Sequence, residues 1–146
     1  VATIANGKTF TWNAGIAARL STRASQLTTS FETTNNPDKS RLTLVSPTTR
    51  HLIHFGTEAT IGTPTSQEDL LIRFSEQENI NIYTIEATNT AGSQRLQDGT
   101  KIMGAISAKE NILVWTDNAL YTMKLMVLLI GCPTMVSFLL MVLLIL

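Results

Sequence analysis

Two histidines, His51 and His54, are the residues best suited to hold a metal or move a proton near neutral pH. They fall in an apolar run, His51 to Phe55, that reads as a β-strand. Strand residues three apart face opposite sides of a sheet. The pair therefore cannot share a metal without ligands from elsewhere, and both read as ordinary strand residues. Glu68-Asp69 and Glu76-Gln77-Glu78 are the acidic clusters. Carboxylates of this kind would take a hard cation, but each cluster sits beside a turn and lacks the spacing of a calcium loop. Gly62-Thr63-Pro64 and Gly92-Ser93 have no Lys-Ser/Thr behind them to cradle a phosphate, and no serine sits in a Gly-x-Ser-x-Gly elbow. Asp98-Gly99-Thr100 reads as a chain reversal. Trp12 and Trp115 could stack on sugars or bases, and equally suit packing between sheets. The expectation is a non-enzymatic protein with no catalytic, cofactor-binding or metal-binding residues and no cofactor.

The elements that would position these residues are strands. Thr3 to Ala5 and Lys8 to Trp12 flank Asn6-Gly7, the pair that suits a two-residue type I′ hairpin turn. Ala14 to Phe31 reads as irregular, ending in a turn-rich loop over Thr33 to Lys39. Further strands are expected from Arg41 to Val45, His51 to Phe55, Ala59 to Ile61, Leu70 to Phe74, Asn79 to Ile85, Lys101 to Ile106, Ile112 to Trp115 and Ala119 to Met123. Asn89 to Asp98 reads as a polar connection. The stretch from Val45 through Ile61 aligns without a gap on the stretch from Ile106 through Thr122, at an offset of 61 residues. Repeated β-units that cover one another's faces suggest propeller-like blades. The fold class is thus mainly β, built of antiparallel hairpins, and reads as an incomplete domain.

Composition divides the chain. Overall, 44% of residues are hydrophobic and 15% charged, with formal net charge zero, which gives no reason to expect a nucleic-acid partner. Residues 1–124 are rich in Thr, Asn and Ser, whereas 125–146 carry no charge at all. The one cysteine, Cys132, lies in the second region, so the first needs no oxidising compartment. The start, Val-Ala-Thr-Ile-Ala, has no basic n-region and reads as the interior of a longer chain.

Three stretches carry a resemblance. They are Gln94 to Ala105, Asn111 to Met123 with its Trp115-Thr116-Asp117-Asn118-Ala119-Leu120-Tyr121 core, and Ile72-Arg73-Phe74-Ser75 with Gln77-Glu78-Asn79. With Thr9-Phe10-Thr11-Trp12, they resemble bacteriophage tail tubular, nozzle or hub proteins. The resemblance covers nearly all of residues 1–124 and is loose over Ser21 to Lys39. It implies a β-rich virion protein, sometimes propeller-like, that forms a homo-oligomeric ring with other tail proteins around the DNA exit channel. It implies no sequence-specific nucleic-acid binding and no catalytic residues. The expected location is the virion tail. A tail-anchored membrane protein with a small β domain and a carbohydrate-binding β-module are the alternatives.

Residues 125–146 allow two readings. The length suits a bilayer crossing, and fourteen Leu, Ile, Val or Phe residues would favour insertion by roughly 4–8 kcal/mol, less the cost of Pro133. On that reading the segment is helical and anchors the chain to a membrane. The other reading starts from codons. A Met-Val pair, read one base earlier, gives an NAT codon and then a Gly codon. Met126-Val127, Met135-Val136 and Met141-Val142 supply three such pairs. With suitable synonymous codons, Leu125 to Phe138 shifts to Asp-Gly-Ala-Pro-Tyr-Trp-Met-Ser-Asn-Asn-Gly-Phe-Phe. That resembles the continuation of the tail proteins, so the expectation is a frameshift near Lys124. Sequencing the source DNA decides it: a frame running cleanly through Leu146 in independent reads removes the idea.

Overall fold

The computed structural model describes residues 1–12, 15, 23–27, 36–128 and 136–144. Eleven described strands form three antiparallel sheets. A small sheet holds β1 (Ala2–Thr3), β2 (Thr9–Thr11) and β3 (Ser25–Gln26). The first large sheet is an up-and-down meander of β4 (Leu42–Val45), β5 (Leu52–Phe55), β6 (Leu71–Phe74) and β7 (Gly92–Arg95). The second is a meander of β8 (Ile102–Ala108), β9 (Asn111–Thr116), β10 (Leu120–Leu128) and β11 (Val136–Leu144). The mainly-β, hairpin-built fold is the one the alternating runs predict.

Alternation decides which face each strand buries. In β5 and β6, Ile53 lies opposite Phe74 and Phe55 opposite Ile72. These four are 0–3% exposed and share a core with Ile102, Ile112, Val114, Tyr121 and Met123 of the second large sheet. Leu42 and Leu44 flank them, at their register positions beside Phe55 and Ile53. Burying each such side chain contributes roughly 1.5–3 kcal/mol. The next residues along each strand, Leu52 and His54 in β5 and Arg73 in β6, point to the other face, which is also buried.

The repeat is real in position and unexpected in packing. The hairpin β4–β5 aligns with β8–β9 at the offset of 61, so that Ile53 corresponds to Val114 and Phe55 to Thr116. Both sheets turn these equivalent positions inward: Val114 is buried in the shared core, and Thr116 is 6% exposed. Two sheets meeting through the same face make a sandwich. Propeller-like blades would meet through opposite faces, which is a different arrangement.

Several local expectations need correction. The first hairpin exists, with Thr3 opposite Thr9, but its turn is wider than two residues. Only Asn6 has positive φ there, at 54°. Gly7 instead bridges to Ser40, whose N–H donates to the Gly7 carbonyl at 3.2 Å. Ala59 to Ile61 is not a strand, because the Glu58 carboxylate captures the N–H groups of Gly62 (2.7 Å) and Thr63 (3.1 Å) and curls the chain. Asn79 to Ile85 is not a strand either. Tyr83 and Ile80, three apart, reach the same apolar cluster, a spacing that a strand does not allow. Polar Asn89 to Asp98 contains strand β7. Within Ala14 to Phe31, read as irregular, Ser25–Gln26 pairs with β2. Residues 14, 16–22 and 28–35 fall outside the described residues.

The expected helix over 125–146 is corrected too. β10 runs on through Leu128 and pairs with β11, Leu120 opposite Leu144 and Leu128 opposite Val136. Gly131-Cys132-Pro133 divides the segment, and a proline inside a helix costs about 3 kcal/mol. Val127, Val136 and Val142 also suit strands. Among the described residues, no helix is long and apolar enough to cross a membrane.

Gly92 sits under Phe74: a Cβ there would lie 2.5 Å from its ring. Replacing Gly92 with Ala is expected to destabilise the chain by about 1–3 kcal/mol through overpacking. Urea unfolding of the two chains measures it, and equal midpoints would refute it.

Candidate functional site: a buried histidine cluster and an exposed sheet face

The structure places the two histidines on opposite sides of the first large sheet. His51, just before β5, meets Phe74 edge-on at 5.9 Å and bonds Thr49 (2.7 Å) and Thr90 (3.2 Å). His54 points the other way. Its Nε2 bonds the Tyr83 hydroxyl at 2.9 Å and its Nδ1 bonds the Ser40 hydroxyl at 3.2 Å. The Tyr83 ring stands edge-on to it, 5.2 Å between centroids. Burial lowers both imidazoles' affinity for protons. For His54, burial and then the neighbouring Arg73 guanidinium bring the pKa down to about 3. The His54 imidazole is therefore neutral at ordinary pH.

Arg73 and Glu58 extend this cluster. Arg73 lies directly across from His54 in the β5–β6 ladder. Its Nη2 donates to the carbonyls of Glu58 (3.1 Å) and Ala59 (3.0 Å). Glu58 is fully buried, and burial raises its carboxyl pKa against the opposing hydrogen bonds from Gly62 and Thr63. Glu58 Oε1 and Arg73 Nε are both buried without a hydrogen-bond partner. The sequence offers no sign that these residues meet, because sheet register sets Arg73 beside His54 and loop folding returns the Glu58 carbonyl to it.

The acidic clusters are occupied with ion pairs. Asp69 accepts from Arg41 Nε at 2.9 Å, Glu68 lies 3.4 Å from Arg95, and Glu78 lies 3.0 Å from Arg50. Glu76, Gln77 and Glu78 line an open cavity of about 330 Å³ with Thr88, Asn89 and Thr90. No group of three His, Cys, Asp or Glu converges among the described residues. Asp98-Gly99-Thr100, expected to reverse the chain between strands, instead bends it from the first large sheet into the second, with Gly99 at φ 106°. Asp117 accepts the Thr100 N–H at 2.7 Å and the Thr100 hydroxyl, and these bonds hold its carboxyl below the usual value. The Tyr121 hydroxyl accepts the Asp98 N–H at 2.9 Å.

The tryptophans lie in different layers. The small sheet covers the His54 face of the first large sheet: Thr3 bonds Thr43, the β4 neighbour of His54, at 2.7 Å, and Leu27 packs on Leu52 and Tyr83. Trp12 follows β2 in that layer. Trp115 belongs to the second large sheet and faces away from the shared core, lying across Gly104. The two indoles, 48% and 39% exposed, therefore do not share one binding face. Ile106 and Leu113, opposite each other in the ladder, lie on the Trp115 side, with Ile106 53% exposed.

The chain matches no protein-family model, no curated protein and no solved structure.

Two outcomes follow. Tyr121→Phe is expected to cost about 1–2 kcal/mol, because the Asp98 N–H loses its acceptor; denaturant titration checks this. For Glu58, the folded carboxyl holds its proton to higher pH than the unfolded one. Stability is therefore lost as pH rises through the window between the ordinary and the raised value. Glu58→Gln removes that loss, so its stability relative to the parent chain should increase from pH 4 to pH 8 in urea unfolding. A constant difference would refute the assignment.

Proposed function

We propose that this chain is a virion structural protein of the phage tail tubular or nozzle kind, working by assembly into a ring around the DNA exit channel. The observation that carries the reading is the outer face of the second large sheet. Ile106, Leu113 and Trp115 form an apolar surface on it with no covering layer among the described residues. Apolar sheet faces of this kind favour protein contacts, and a second copy of the chain or another tail protein is the natural occupant. The segments that resemble tail proteins include the strands of this face: Gln94 to Ala105 spans the second half of β7 and the start of β8, and Asn111 to Met123 spans β9 and the start of β10. The ring surrounds DNA without reading its sequence, in keeping with zero net charge.

The test is the oligomeric state of the full chain by light scattering and electron microscopy. A ring or closed oligomer is expected, weakened when Ile106 and Trp115 are both changed to Ser. A monomer at all accessible concentrations, alone and with other tail proteins, would overturn the proposal.

A further inference from the structure

Residues 76–91 cross the outer face of the first large sheet as an arm that the sheet does not hold by a ladder. Its backbone hydrogen bonds run within it, from Glu76 N–H to the Ile82 carbonyl, Asn79 N–H to Glu76 and Asn89 N–H to Glu86. Segments with so few backbone ties open at a lower free energy than the sheets beneath them. What pins the arm is Tyr83, fully buried against Leu27 and Leu52 and bonded to His54. The same imidazole also pins Ser40, 1% exposed, at the entrance to β4.

We infer that His54 is an acid-sensitive latch: protonating its imidazole releases the Tyr83 arm and the Ser40 segment from the outer face of the first large sheet while the two-sheet core stays closed. A neutral imidazole donates with one nitrogen and accepts with the other, which suits one hydroxyl acting as donor and the other as acceptor. An imidazolium can only donate, so one hydroxyl must turn its proton away from the ring. The charged group facing His54 is Arg73, from β6, whose like charge opposes protonation. From β4, Thr43 lies beside it; from the arm comes Tyr83 and from the entrance to β4 comes Ser40, all uncharged. Glu58 acts on Arg73, and Asp38 acts on Glu58. Among the described residues of the small sheet, Lys8 is turned to Gln26 at 3.0 Å. With its carboxylates one step removed, the cluster has no anion among the described residues to neutralise a cation at His54. With the arm released and His54 open to water, the imidazole protonates at the ordinary histidine value of 6.5, against about 3 when latched. Opening thus takes up a proton between these values and becomes easier as pH falls through them.

Amide exchange of the full chain from pH 7 to pH 4, corrected for intrinsic rates, tests the latch. Protection over 80–84 should fall about tenfold per pH unit below 6.5, the slope for one proton, while Ile53 and Val114 stay protected. His54→Gln, which bonds both hydroxyls without titrating, should flatten the slope. His51→Gln, which touches the arm only through Thr90, should keep it. Should His54→Gln fail to fold, Tyr83→Phe serves instead, removing the hydroxyl and moving the release to higher pH. A flat profile in the parent chain, loss of arm and core together, or flattening by His51→Gln alone would overturn the latch.

Discussion

Strands β5 and β6 are buried on both faces, and the rest of the chain is arranged around that constraint. All eight of their residues are buried. One face is apolar and drives association with the second large sheet, at roughly 1.5–3 kcal/mol for each large side chain. The other face carries His54 and Arg73 beside Leu52 and Leu71. Each hydrogen bond there adds a net of only about 0.5–1.5 kcal/mol, but leaving a buried polar group unpaired costs about 1–3 kcal/mol. The apolar face therefore supplies the stability. The polar face specifies which segments lie over it, because those offering hydroxyls and carbonyls at the right places cover it at the least penalty, with Arg73 Nε left unpaired. Ser40, Tyr83 and the Glu58 and Ala59 carbonyls meet that requirement.

Those covering segments come from distant parts of the chain, and they explain why some of the fold was legible and some was not. The β5 run could be read because Leu52-Ile53-His54-Phe55 is a short, mostly apolar run bounded by turn residues, as suits a strand buried on both faces. Leu42 and Leu44 could be read from their alternation with Thr43 and Val45. β7 could not: Gly92-Ser93-Gln94-Arg95 has the composition of a loop. It pairs only because β6 offers a free edge and Gly92 leaves room for the Phe74 ring. Its other residues are exposed, so burial left no imprint on them. Tyr83 misled in the opposite direction. The alternation from Asn79 to Ile85 suggested a strand, yet tertiary contact with Leu27 and Leu52 overrode it. The site was least legible of all. His54 was visible as a candidate, but Ser40, Glu58, Arg73 and Tyr83 converge only through the sheet register and loop folding, which leave no spacing signature.

The aligned hairpins show how connection length turns one plan into two surfaces. At the offset of 61, His54 corresponds to Trp115 and Leu52 to Leu113. Both pairs point away from the shared core. In the first sheet the chain between β5 and β6 runs from Gly56 to Leu70, long enough to fold back and offer the Glu58 and Ala59 carbonyls to Arg73. In the second, only Asp117 to Ala119 separates β9 from β10. That turn is tied down by the Thr116 hydroxyl, which accepts the Ala119 N–H at 2.9 Å. So short a connection reverses the chain and has nothing left to cover a face.

The residue types follow from this difference. Where a polar covering segment returns, the corresponding position holds an imidazole that can bond it. Where none returns, the position holds an indole, whose large apolar surface lies over Gly104 and still leaves its outer side in water. An indole can serve a bare face in both states, packing on its own sheet when alone and presenting flat apolar area when another surface arrives. The proposed assembly surface and the proposed latch thus arise from one structural position used twice. The length of the following connection decides whether the chain covers that position itself or leaves it for a partner.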